Sequence, residues 1–166
     1  MMHYNITGFR IAARGLVVKN DQLLFVSNDG EYWYLPGGGL EGRESLRDCV
    51  EREVYEETGL VVKAGSLIHV LESFDLNDGL HKINFYFRTT LIQGEVADTW
   101  CDKDNGIVQF RQYFSLAEIK QHKTILPRFL TSGEWCYEYP EAHKVYQGVV
   151  TMRGFEIVDE ASMKTI

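Results

Sequence analysis

Between Pro36 and Leu60 three consecutive glycines run into the clearest helical segment of the chain, and that segment carries acids on the side that should face a core. Pro36-Gly37-Gly38-Gly39 interrupts regular structure. Glu44 to Thr58 then has no internal Gly or Pro, and it stops at Gly59, a residue suited to the left-handed position after a helix. At about 100° per residue, Leu46, Cys49 and Val50 share one face, which must look inward. Glu53, Glu56 and Glu57 continue that face. With Glu53 as zero, Leu46 lies at roughly 20°, Cys49 at −40°, Glu56 at −60° and Glu57 at 40°. The inward stripe therefore passes from apolar to triply acidic, while Glu44, Asp48, Glu51 and Tyr55 fall on the opposite, solvated side.

A Glu-rich helix is ordinarily a solvated surface, but these three carboxylates occupy core-side positions. Like charges three and four residues apart cost a few tenths of a kcal/mol each. Acids in a last turn also oppose the helix dipole, by about 0.3–1 kcal/mol apiece. Arg52, one turn before Glu56, offsets one charge and not three. Something cationic must complete the arrangement. Oxygen-only ligands on a rigid helix beside an open loop suit Mg2+ or Mn2+ better than zinc.

The segment from Gly38 to Leu60 resembles the Nudix box at each of its specified positions. Gly38 is followed by Glu44, then Arg52-Glu53-Val54, Glu56-Glu57 and Gly59-Leu60 at the family's spacing, with Leu35-Pro36-Gly37 before it and Glu41 within it. A looser likeness runs from about Gly8 to Leu130. The resemblance implies an α+β fold of α/β/α layering, with a mixed, partly barrel-like sheet between helices and the box as loop, helix and loop. It also implies metal-dependent hydrolysis of a diphosphate linkage in a nucleoside diphosphate joined to another moiety, such as a (d)NTP, ADP-ribose or a nucleotide sugar. By position, Glu53, Glu56 and Glu57 would bind metal, with the Gly37 carbonyl as a further ligand. Arg52 would orient a box glutamate, and Glu44 would brace the loop. Glu53, Arg52 and Glu56 are the candidate catalytic residues, Glu53 being the choice of general base. Many relatives place one more acid in the loop before the last core strand. Here that stretch reads Asp102-Lys103-Asp104-Asn105-Gly106, which makes Asp104 the candidate.

The rest of the sequence narrows the setting. A length of 166 residues with 45% apolar and 25% charged content suits one domain with a real core. Residues 1–130 are expected to form the hydrolase domain. Residues 131–166 would extend it, as edge strands or an oligomer contact such as a homodimer. A net charge of −7 and the lack of a basic stripe disfavour a nucleic-acid polymer as partner. A small nucleotide-like substrate is compatible if metal stands between like charges. No apolar run reaches the roughly 20 residues of a membrane span. The opening residues lack a basic segment followed by an apolar one, and Cys49, Cys101 and Cys136 form neither a disulfide framework nor a zinc set, so a reducing cytoplasm is expected.

Along the chain, strands are expected at 9–19, 22–27, 32–35, 67–74, 83–91 and 107–114, and Ser115 with Glu118 forms a capping box for a short helix. Gly38 and Gly39 permit backbone approach to phosphate, and Arg10 and Arg14 can reach one, with a surface ion pair as the equal alternative. Tyr32, Trp33 and Tyr34 can stack on a base, with Trp33 or Tyr113 the leading choice and core packing the competing role for each of the rings at 32–34. His69 and His81 read as structural. Two other functions compete with hydrolysis. Degenerate box glutamates would favour a non-catalytic nucleotide-binding sensor, and here all are intact; isomerase chemistry on a prenyl diphosphate would reuse the fold without needing the complete hydrolytic box.

Overall fold

The computed structural model describes residues 6–100, 106–136, 145–153 and 156–159. Strand β1 (Gly8–Leu16) leads through β2 (Val18–Lys19) and a turn at Asn20-Asp21, both with positive φ, into β3 (Gln22–Ser27). A short β4 (Gly37–Gly39) precedes α1 (Leu46–Thr58). Two long strands follow, β5 (Val61–Asp75) and β6 (Leu80–Gln93), then β7 (Phe110–Ser115), α2 (Leu116–Gln121), and the strands β8 (Tyr146–Arg153) and β9 (Glu156–Asp159). The larger sheet runs β4-β1-β6-β5-β8-β9 and the smaller β2-β3-β7. The larger is mixed, since β1 runs parallel to β6 and β8 parallel to β5, while the other pairs are antiparallel.

Alternation along the strands divides the core between two layers. Ala13, Leu24, Val62 and Phe87 pack against Cys49, Val50 and Val54 of α1. Leu23 and Phe25, pointing the other way, join Ile68, Phe114, Ile119 of α2 and Trp135. The β-structure thus lies between helices, an α/β arrangement as the resemblance implied.

Several boundaries differ from expectation. The helix begins at Leu46, not Glu44, because Ser45 caps it: its hydroxyl accepts from the Asp48 N–H, and Asp48 returns a bond to the Ser45 N–H. Residues Tyr32 to Leu35 form single bridges, Tyr34 to Val26 and Trp33 to Ile125, in place of a strand. β5 and β6 outrun their sequence patterns because pairing along nearly their whole lengths, including the Asn77-Asp78-Gly79 turn, carries them past the apolar alternation. Ser115 and Glu118 do form a reciprocal box at α2. Of the described residues after 130, Thr131 to Cys136 lie in 3-10 turns, while β8 and β9 extend the larger sheet beyond β5, with Ser73 of β5 opposite Val150 of β8 and β9 outermost.

Candidate active site

Gly37, Gly38 and Gly39 pair with Arg14, Ala13 and Ala12 of β1, which lays the glycine run alongside α1. Gly37 holds φ 144°, and a Cβ there would meet the backbone of Ala13 and Arg14. A Cβ on Gly38 would instead meet the Glu53 carboxylate, 2.6 Å from Oε2. The glycines are therefore present for space as well as for conformation. At the far end of α1, Gly59 adopts the left-handed form at φ 76° and its N–H closes on the Tyr55 carbonyl.

Arg52 is the electrostatic centre. Its Nε and Nη2 donate to Glu44 at 3.0 and 2.7 Å, a two-point pair, and Nη2 also reaches the Gly39 carbonyl at 3.1 Å. Nη1 donates to Glu53 Oε1 and Glu56 Oε2, both at 2.9 Å. The third inward acid, Glu57, accepts from the Gly37 N–H at 2.9 Å. The bond from Arg52 holds the Glu44 carboxyl down at about 2, and the surrounding acids raise the guanidinium's pKa further, so it stays charged. Burial pushes the Glu53 carboxyl up, against the opposing pull of Arg52. Burial also lifts the Cys49 thiol to about 12, and this neutral sulfur packs beneath the Gly38 and Gly39 carbonyls.

Among the described residues no three acidic or thiol groups are already gathered as a metal-ligand set, because Arg52 and the Gly37 N–H divide the carboxylates between them. The donor chemistry nonetheless fits a hard cation. Every donor is an oxygen, and the Arg52 nitrogen touched by both Glu53 and Glu56 marks where positive charge is already drawn in.

Two partners of the helix end come from far along the chain. The Trp100 indole N–H donates to the Glu56 carbonyl at 2.8 Å, and the Arg111 guanidinium donates to the Glu57 carbonyl. α1 has no basic residue in its last turn, so Arg111 supplies the charge that the dipole and the clustered acids require. The sequence pattern gave no sign of either residue, since no local period links them to the helix.

These elements border a cleft of about 1130 Å3, lined by Arg10, Arg14, Tyr34, Glu53, Glu56 and Glu57 among others. Arg14 serves the loop: Nη1 donates to the Leu35 and Gly37 carbonyls at 2.9 and 3.1 Å, and the guanidinium lies 5.5 Å from the Tyr34 ring centre. The Gly37 carbonyl, an expected ligand, thus carries a guanidinium donor. Trp33 is a correction. Its ring is buried edge-on against Phe114 in the core, because the Trp33 backbone is fastened to Thr124 and Leu126, and Tyr34 faces the cleft instead. Tyr113 borders a separate hollow with Lys19 and Glu95. Glu51 is not on an idle surface: it accepts the Ala64 N–H at 2.9 Å and pairs with Lys63. His69 is buried beside Phe129, and His81 pairs with Glu72 at 2.6 Å. Asp104 and its neighbour Asp102 lie outside the described residues.

The family model of the NUDIX domain matches residues 8–132. The chain belongs to the Nudix family. It is 30% identical over 136 residues to diphosphoinositol polyphosphate phosphohydrolase 2 of Homo sapiens, covering 76% of this chain and 72% of that protein. Over 90 residues it is 33% identical to an ADP-ribose pyrophosphatase of Methanocaldococcus jannaschii, covering 52% and 53%. In fold it is similar to a MutT protein of Bacillus halodurans, with a TM-score of 0.69 at 21% identity over 90% of this chain and 95% of that one. With homologues that include pyrophosphatases, the chain is a Nudix pyrophosphohydrolase. Nudix hydrolases generally use divalent metal ions.

Proposed function

We propose that this Nudix enzyme hydrolyses, with Mg2+ or Mn2+, the diphosphate linkage of a nucleoside diphosphate joined to another moiety, such as a (d)NTP, ADP-ribose or a nucleotide sugar. The observation that carries the reading is the cluster of Glu53, Glu56 and Glu57 around Arg52 and the glycine loop, opening on one cleft. When bound, a divalent ion neutralises the diphosphate and lowers the pKa of a water for in-line attack. Glu53, Glu56 and Glu57 would hold it, and the Gly37 carbonyl would have a second lone pair to offer. Arg52 keeps Glu53 and Glu56 fixed through one nitrogen, while its fork on Glu44 prevents rotation of the guanidinium. Glu53, pressed against Gly38, accepts the proton of the attacking water. Gly38 and Gly39 let the diphosphate approach the main chain, and Arg14 holds that chain in place. Asp104 is the proposed additional acidic ligand.

The two named relatives act on different substrates, a diphosphoinositol polyphosphate and ADP-ribose, which share the diphosphate. A product-release assay decides the class. ATP, ADP-ribose, UDP-glucose, a dinucleoside polyphosphate and a diphosphoinositol polyphosphate are each incubated with Mg2+ or Mn2+, with and without excess chelator. Cleavage of at least one at its diphosphate, abolished by chelator, is expected. Failure with every substrate and both metals overturns the hydrolytic reading in favour of a binding protein.

A further inference from the structure

Away from the glutamates, the cleft floor is made by one face of β5 and β6, where Ser73, Asn84 and Tyr86 stand among apolar neighbours. These residues are only 4, 9 and 3% exposed. Neither the Ser73 hydroxyl nor the Tyr86 hydroxyl has a hydrogen-bond partner in the described chain, and Asn84 uses only Oδ1, on Arg14 Nε at 3.4 Å. Arg14 can only donate, so the Asn84 oxygen faces it and the amide N–H2 faces away. No fully enclosed side-chain oxygen or nitrogen among the described residues lacks a partner, so these groups open onto the cleft. Polar groups so deeply buried without partners are rare in folded proteins and call for an explanation.

The walls are apolar. Tyr86 meets the Phe129 ring at 5.2 Å, and the strand pair β8–β9 contributes Val150, Met152 and Ile157. These three lie beyond residue 132, where the family match ends. The cations bordering the cleft are mostly engaged: Lys82 with Asp75 and Asp78 at 2.7 and 2.8 Å, Arg52 with three glutamates, Arg14 and Arg128 with main-chain carbonyls. Among the described residues Arg10 is the cleft cation left without such a bond.

Building on the proposed hydrolysis, we infer that Ser73, Asn84 and Tyr86, walled by β8–β9, form a specificity pocket for the neutral, planar, acceptor-bearing base of a nucleotide, not for a ring carrying further phosphates. A flat ring suits apolar walls, and its carbonyl and ring-nitrogen acceptors suit three donors on one side. A polyphosphorylated ring would instead need several free cations. Arg14 couples the two ends of the cleft, with its Nη1 on the glycine loop and its Nε on Asn84. The tail thereby becomes a determinant of substrate choice.

The test separates this pocket from the hydrolysis. AMP, GMP, CMP, UMP and ribose 5-phosphate are titrated calorimetrically without metal into the wild type and into the double variant Ser73→Ala, Tyr86→Phe. That variant removes only unpartnered oxygens, so its melting temperature should hold or rise. At least one mononucleotide should bind the wild type more tightly than ribose 5-phosphate does, and should bind the variant about 10-fold more weakly, the scale of two lost hydrogen bonds. Equal binding of ribose 5-phosphate and all four mononucleotides, or equal mononucleotide binding by the two proteins, overturns the pocket. Either result leaves the hydrolytic reading to its own product-release assay.

Discussion

Adjacent glycines in the loop should respond to alanine differently, Gly38 chiefly in turnover and Gly37 chiefly in stability. A Cβ on Gly38 would lie 2.5 Å from Glu53 Cδ and 2.6 Å from Oε2, against ordinary contacts that begin at 3.4 Å. Gly38 does not hold a positive φ, so the backbone accepts alanine and the long Glu53 side chain gives way. The carboxylate must retreat by about 1 Å, a misplacement that can cost on the order of 10²-fold in rate. The retreat also weakens the Arg52–Glu53 bond, worth about 1.5–3 kcal/mol at most for a charged pair and less here, where both side chains keep some exposure. Replacing glycine returns about 0.4–1 kcal/mol through the unfolded chain. The net loss is about 1 kcal/mol, or roughly 2–4 °C for a chain of this size. Gly37→Ala, by contrast, forces a side chain onto φ 144° and 2.6 Å from the Arg14 Cα, a backbone atom that cannot swing aside. It should lower the melting temperature by roughly 5–10 °C. Turnover of a hydrolysed diphosphate substrate and thermal melts on both variants check the contrast. Near-wild-type kcat/KM in Gly38→Ala would refute the claim that Glu53's position matters.

Glu53→Gln should reduce kcat by at least about 10²-fold, while Arg47→Gln, on the exposed side of α1, should change it less than threefold, both measured at saturating metal. Glu51→Ala should be destabilised by about 1 kcal/mol through its lost bond to the Ala64 N–H, visible as a shifted denaturant midpoint with activity retained. The Glu44 carboxyl is depressed from 4.5 to about 2 in the folded protein, so its contribution is complete above 4.5 and is lost as pH falls towards 2. The stability gap between wild type and Glu44→Gln should therefore close over that window in pH-dependent melts; a gap that widens as pH falls contradicts the sign. Arg111→Ala should speed hydrogen exchange in the last turn of α1, because the Glu57 carbonyl loses its charged donor.

The helix and its acidic face were legible in the sequence because both depend on spacings within two or three turns. The period of 3.6 residues brings Glu53, Glu56 and Glu57 onto the side of Cys49 and Val50 whatever else the chain does. The same locality made the Ser115–Glu118 box readable, although the Ser45–Asp48 box, equally local, shortened α1 against expectation. What each carboxylate touches was decided elsewhere. Glu57 turns to the Gly37 N–H because β4 pairs with β1, and the helix end is satisfied by Trp100 and Arg111, 44 and 54 residues away from their acceptors. Trp33 and Tyr34 are neighbours of nearly equal aromatic character, and only the bridge to Ile125 sends one into the core and leaves the other on the cleft. The tail offered no readable period, yet β8 joins β5 and carries Val150 and Met152 to the cleft wall. A local pattern records which way a side chain points on its own element; which group it meets there depends on pairings between distant strands, whose register no single segment encodes.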